Sequence, residues 1–140
     1  IGTPGYYSPE HLQTTGVIPA SDIYAVGLNI YELLTGEKAV KPSTDRRKIL
    51  ATMREVDFSK VKCTDRRLEK KVRRLIKKSL QVSTWWRTPS AEAMVISVYK
   101  VLKEYNIRYS RHAIKQFLVD KGLSNPSDKF EDQDIYRGAA

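Results

Sequence analysis

The stretch from Ser21 to Gly36 constrains this chain most. It reads Ser-Asp-Ile-Tyr-Ala-Val-Gly-Leu-Asn-Ile-Tyr-Glu-Leu-Leu-Thr-Gly. Ile23, Val26, Leu28, Ile30, Leu33 and Leu34, with Tyr24 and Tyr31 between them, leave no helical face consistently polar, which predicts a helix buried on all sides. A bilayer span needs about 20 apolar residues, and this run is shorter and broken by Asn29 and Glu32. It is therefore a core helix, with Ser21 placed to cap its start and Gly36 to end it in the left-handed conformation. A helix of this kind is a post, and the rest of the chain must supply helices that lean on it.

The remaining segments do so without any strand pattern, repeat or low-complexity block. Residues 1–10 hold two Gly and two Pro and read as extended loop, and Glu10 to Gln13 as one short helical turn. Thr14 to Pro19 is a second loop, and Glu37 to Pro42 a polar connector. Ser43 is the expected cap of a surface helix whose narrow apolar stripe is Ile49, Leu50 and Met53. After an irregular loop from Val56, Thr64 is the expected cap of a helix that carries Leu68, Val72, Leu75, Ile76 and Leu80 at helical spacing. The two tryptophans, Trp85 and Trp86, fall in the loop Gln81 to Arg87. Thr88-Pro89 predicts the next helix start, continued by Met94, Val95, Val98, Val101, Leu102 and Tyr105. A further helix is expected from Ser110, packing Ile114, Phe117 and Leu118 before Gly122 stops it.

Charge and cysteine content narrow the chemistry. The net charge is +9 over 140 residues, and the fourth predicted helix alone carries a dense run from Arg66 to Lys78. A phosphate-binding surface and a solvated face that keeps an amphipathic helix soluble both account for that run. The solvated face is favoured, because no aromatics interleave with the basic residues, so a nucleic-acid partner is not expected. One cysteine, Cys63, excludes an internal disulfide and suits a reducing compartment, so a cytoplasmic location is expected. With only His11 and His112 besides, a metal site is not expected. The chain shows no apolar signal segment and begins with Ile, and an excised piece of a longer protein is the expected reading.

Three motifs then stand in order. Gly2-Thr3-Pro4-Gly5-Tyr6-Tyr7-Ser8-Pro9-Glu10 resembles the end of the activation segment of eukaryotic-type Ser/Thr protein kinases, with Ser8 where Ala is commoner. Ser21-Asp22-Ile23-Tyr24, Gly27 and Tyr31 to Gly36 resemble the central helix of the kinase C-lobe. Leu80 and Arg87-Thr88-Pro89-Ser90-Ala91-Glu92-Ala93-Met94 resemble the opening of its last helix. The wording is most similar to bacterial or deeply divergent members.

The resemblance implies an all-α fold, the lower half of a kinase C-lobe. The expected divisions are a partial kinase domain over 1–105, a helical extension over 106–123 and a loose acidic tail over 124–140. It also implies roles. Gly2, Thr3, Pro4, Gly5 and Tyr6 match the segment that docks the substrate, Thr3 supporting the catalytic aspartate and favouring a Ser or Thr acceptor in a protein substrate. Glu10 and Arg87 match a buried ion pair, and Asp22 matches the residue that anchors the catalytic loop. Glu32 stays open between facing basic substrate residues and serving as a satisfied structural carboxylate.

Phosphoryl transfer also needs a Gly-rich loop, a strand lysine, a catalytic-loop aspartate and asparagine, and a metal-binding Asp-Phe-Gly. In the family these lie upstream of the matched motifs, and none occurs in this sequence. ATP and Mg are thus expected in the parent kinase, whose N-terminal part is an expected partner, and not in this segment. By itself the chain is expected to be inactive and loosely packed, with a few residues among Tyr24, Leu28, Tyr31 and Leu34 uncovered. A pseudokinase or docking module is the alternative.

Overall fold

The computed structural model describes residues 5–13, 16–107 and 110–122. The protein is all-α, and the described residues include no strand. The helices are α1 (Pro9–Leu12), α2 (Pro19–Thr35), α3 (Arg46–Arg54), α4 (Arg66–Ser79), α5 (Ala91–Glu104) and α6 (Arg111–Asp120), with 3-10 turns at Phe58–Lys60 and Thr84–Trp86. Two compact units divide the chain, residues 1–105 and 106–140. The expected tail over 124–140 lies outside the described residues.

In the first unit α2 begins at Pro19, where the missing N–H of proline leaves nothing unsatisfied. Ser21 is not the cap residue. It sits inside the first turn, where its Oγ accepts from the Ile18 N–H at 3.1 Å and so serves a free amide from within the helix. Gly36 ends α2 with φ 73°, the left-handed region that costs glycine least.

Tyr24, Leu28 and Tyr31 enter a core with Val40, Ile49, Met53, Val61, Ile76 and Leu80. Of the four residues among which exposure is expected, these three are thus covered and Leu34 is 43% exposed. Nor is α2 buried on all sides. Asp22, Val26, Asn29 and Leu33 recur every three or four residues and form one exposed stripe, with Leu33 84% exposed. The reason is that the surrounding elements reach only part of the way around the post.

α2 and the end of α4 approach closely at Gly27. A Cβ added at Gly27 would stand 2.8 Å from Ser79 Cβ and 2.9 Å from Leu80 Cδ2. Ser79 fits there because its hydroxyl turns back to donate to the Leu75 carbonyl oxygen.

Three helix starts differ from expectation by one or two residues. Asp45, not Ser43, caps α3, its Oδ1 accepting from Arg47 N at 2.9 Å. Asp65, not Thr64, caps α4 by accepting from Leu68 N at 2.7 Å. Ser90, not Thr88, caps α5 by accepting from Ala93 N at 3.2 Å. Pro89 holds Thr88 extended, and the Thr88 N–H donates to the Lys78 carbonyl oxygen at 3.2 Å instead. The third helix also goes deeper than a surface helix, since Ile49 and Met53 are buried.

Along α4 the basic residues do not share one role. Arg73 donates to the carbonyl oxygens of Val61 and Ser59 and pairs with Glu69, fastening the 3-10 turn to the helix. Lys71 pairs with Glu104, tying the end of α5 to α4. Met94 is the buried residue of α5, whereas Val95 is 48% exposed and Val98, Val101 and Leu102 are half-buried. Asn106, with φ 49°, turns the chain out of α5.

In the second unit Ser110 caps α6 by accepting from Ala113 N at 3.0 Å. Gly122 follows the helix with φ 67°. Ile114 and Phe117 are 55% and 58% exposed, and Leu118 is half-buried.

The approach at Gly27 sets a stability test. Alanine there gains about 1 kcal/mol in helix propensity, but overpacking costs about 1–3 kcal/mol, and the Ser79 β-carbon and the Leu80 side chain are what would have to shift. Gly27→Ala is expected to lower the urea midpoint, whereas Gly36→Asn, at a left-handed position with open space around it, should change it little.

Candidate functional site

Arg87 ends the turn that carries the tryptophans, and its side chain points inward with 0% exposure. A guanidinium has five N–H donors, and all of them are used. Nε donates to the Gln81 carbonyl oxygen at 3.0 Å. Nη1 donates to Glu10 Oε1 at 2.7 Å and to the Ala20 carbonyl oxygen at 2.6 Å. Nη2 donates to Glu10 Oε2 at 2.9 Å and to the Val82 carbonyl oxygen at 3.3 Å. Glu10 and Arg87 thus meet in a two-pronged pair although 77 positions separate them.

Glu10 reaches this point because α1 is one tight turn. Ser8 Oγ accepts from the His11 N–H, and Pro9 occupies the first helical position. Ser21 Oγ donates to Glu10 Oε1 at 2.8 Å, so the same serine serves both the start of α2 and the buried carboxylate. Burial acts to raise the Glu10 pKa, but the Arg87 hydrogen bonds, an amide of its own backbone, the Ser21 hydroxyl and the Arg87 charge outweigh it and bring it from 4.5 down to about 2.

Tyr24 lies beneath this pair, its ring 5.0 Å from Arg87 Cζ. Burial pushes its phenol well above the ordinary range, partly opposed by the Arg87 charge, so the hydroxyl stays neutral. That hydroxyl has no hydrogen-bond partner among the described residues.

A second cluster forms where the first segment passes the C-terminal end of α2. The Tyr6 hydroxyl donates to Glu32 Oε2. This bond, then burial, then the Glu32 charge raise the Tyr6 pKa. Lys38 Nζ stands 4.7 Å from the centroid of the Tyr6 ring. Gly5, with φ 96°, takes a conformation that side chains resist, and a Cβ there would touch Lys38 Nζ at 3.4 Å. Gly5, Tyr6 and Glu32 are therefore together, with Glu32 held by a tyrosine of its own chain.

Asp22 lies apart, exposed in the first turn of α2. Gly2, Thr3 and Pro4 lie outside the described residues. Sequence reasoning passed over Lys38, which has no motif around it, and it saw Ser21 only as a cap, although Ser21 stands three positions after Ile18, the helix-start spacing. Among the described residues no group of three or more His, Cys, Asp or Glu side chains could hold a metal ion, and no helix is long and apolar enough to cross a membrane.

The buried pair makes two outcomes measurable. Arg87→Ala leaves the Glu10 carboxylate buried without its partner, and a loss of about 3–5 kcal/mol in unfolding free energy is expected. Because the Glu10 pKa is depressed on folding, its contribution is complete above about 4.5 and is lost as the pH falls toward about 2. The full span corresponds to about 3 kcal/mol. Urea midpoints measured across this window should fall steeply for the native chain and less steeply for Glu10→Gln.

The protein kinase domain family matches residues 1–116 of the chain. Among curated proteins, the LRR receptor-like serine/threonine-protein kinase SIK1 of Oryza sativa subsp. japonica is 35% identical over 79 residues, which are 51% of this chain and 8% of that protein. The probable serine/threonine-protein kinase PBL16 of Arabidopsis thaliana is 43% identical over 47 residues, 34% of this chain and 12% of that protein. The serine/threonine-protein kinase PksC of Streptomyces coelicolor is 33% identical over 94 residues, 67% of this chain and 17% of that protein. The chain thus spans a small part of the length of each of these relatives. With the family match running from the first residue through α5, the chain belongs to the protein kinase domain family.

Proposed function

We infer that this segment is the substrate-docking and scaffold part of a Ser/Thr protein kinase whose complete form transfers the γ-phosphoryl of ATP, with Mg, to Ser or Thr of a protein. The observation that carries the reading is the buried Glu10–Arg87 pair, which fixes residues 5–13 against α2 and the start of α5. A loop that must present a peptide acceptor needs such a clamp, because productive geometry tolerates little misplacement.

In this reading Gly2, Thr3, Pro4, Gly5 and Tyr6 line the docking segment, and the Tyr6–Glu32 bond holds its wall in place. Glu32 then acts first as a structural carboxylate. Thr3 supports the catalytic aspartate of the complete kinase, and the exposed Asp22 anchors its catalytic loop. The bare stripe Val26, Asn29 and Leu33 of α2 receives the part of the domain that carries that loop. None of the groups that bind ATP or Mg belongs to this segment, so the segment alone transfers no phosphate.

Kinetics on the complete kinase test this. Tyr6→Phe is expected to raise KM for a protein substrate about 3–10-fold while leaving KM for ATP unchanged, the signature of lost substrate positioning. An equal effect on both, or a complete protein that transfers no phosphate, would count against docking in an active enzyme. Leu33→Glu separates the scaffold role. It should leave the melting temperature of the isolated chain unchanged, since Leu33 is 84% exposed there, and lower that of the complete kinase, where burial of a leucine is worth about 1.5–3 kcal/mol.

A further inference from the structure

One side of α4 is not explained by packing. Arg66, Arg67, Lys70, Arg74, Lys77 and Lys78 are all exposed, and among the described residues none has an ion-pair partner. At about 100° per residue they fall within an arc of about 120° along a helix about 21 Å long. The one carboxylate of α4, Glu69, lies off this arc and is taken by Arg73. The face is therefore wholly cationic.

At its C-terminal end stand Trp85 and Trp86, 84% and 70% exposed. The turn that carries them is tied to the C-terminal end of α4. Thr88 N donates to the Lys78 carbonyl oxygen at 3.2 Å, Gln81 Nε2 donates to the Lys77 carbonyl oxygen at 3.0 Å, and Arg87 holds the carbonyl oxygens of Gln81 and Val82. Two large rings in water at the end of a wall of cations are costly to maintain for solubility alone.

We propose that this face is a docking surface for an anionic phospholipid bilayer, with the exposed face of α4 lying along the headgroups and the Trp85–Trp86 turn entering the interface. Charge complementarity requires an anionic partner, and the arrangement chooses among anionic partners. A duplex would take the Lys and Arg side chains on its phosphates and guanine edges, but it gives two exposed tryptophans at the end of the helix nothing to enter. A single strand needs aromatics spaced along the basic track so that successive bases stack, and here both aromatics stand at one end. A plane of negative headgroups meets the convex helix face along its length, and tryptophan is the side chain that settles between headgroups and acyl chains.

Vesicle flotation of the full 140-residue chain tests this. Flotation separates bound protein from any aggregate, which sinks. The chain has only these two tryptophans, so its emission reports on this turn alone. The chain is expected to float with vesicles containing about 30% phosphatidylserine and not with phosphatidylcholine alone, with a blue shift of emission and loss of binding at high salt. The triple variant Lys70→Gln, Arg74→Gln and Lys77→Gln should lose about tenfold or more in partitioning. The same change of net charge on α3, by Arg46→Gln, Arg47→Gln and Lys48→Gln, should cost less than about twofold. Circular dichroism establishes that both variants keep their helices. Equal loss in the two variants would reduce the effect to net charge and overturn the proposal. Unshifted emission on anionic vesicles, or tight binding to an oligonucleotide with none to vesicles, would overturn it without reference to any variant.

Discussion

The fold hangs on a buried guanidinium. Arg87 is removed from water, a step whose cost for an ion is several kcal/mol even after relaxation. It is tolerable here because each of its five donors finds an oxygen, and because the two oxygens of Glu10 accept it in the paired geometry that suits a carboxylate. A well-packed apolar replacement of similar volume could be as stable. What the ionic version supplies is connectivity, since one side chain holds the carbonyl oxygens of Ala20, Gln81 and Val82 together with the carboxylate of α1. Three chain segments converge on one planar group.

That convergence needs α2 and α4 to be close. Arg87 takes the Ala20 carbonyl oxygen from the first turn of α2 and the Gln81 carbonyl oxygen just past the end of α4, so the two helices must approach within reach of one guanidinium. Gly27 lets them do so, lying two turns further along α2 against Ser79 and Leu80. Close packing and ion pairing are thus one arrangement seen at two heights. Tyr24, between them, fills the space beneath the pair with its ring and keeps its hydroxyl neutral because the surroundings are dry.

Much of this was legible in the sequence, and the rest was not for identifiable reasons. The existence of α2, its end at Gly36, and the meeting of Glu10 with Arg87 followed from motifs whose spacing leaves few alternatives. The helix starts at Asp45, Asp65 and Ser90 did not, because each lies within two residues of another cap-forming residue and only the turn geometry decides which oxygen reaches the free amide. The burial of Ile49 and Met53 was hidden because two apolar residues four positions apart look the same on a surface helix as on a core helix. Periodicity also misled for α2. Its apolar residues at Val26 and Leu33 implied full burial, but hydrophobicity records what a residue is suited to meet, not whether the partner is present in the same chain.

In the proposed docking role, the first segment meets the C-terminal end of α2 through its own side chains. Tyr6 and Glu32 bond to each other across 26 positions, and Lys38 stands by the Tyr6 ring. Glu32 therefore has one oxygen engaged by a phenol of its own chain, which in the proposed docking role weakens its attraction for a basic side chain on an incoming peptide. A carboxylate free to choose substrates would need to be unbound on the docking side. If the proposed docking role holds, the wall is built before the substrate arrives, with the Tyr6 hydroxyl already bonded, so that binding energy is not spent on assembling it. Selectivity would then come from the shape of the segment around Gly5 and Tyr6 rather than from the charge of Glu32.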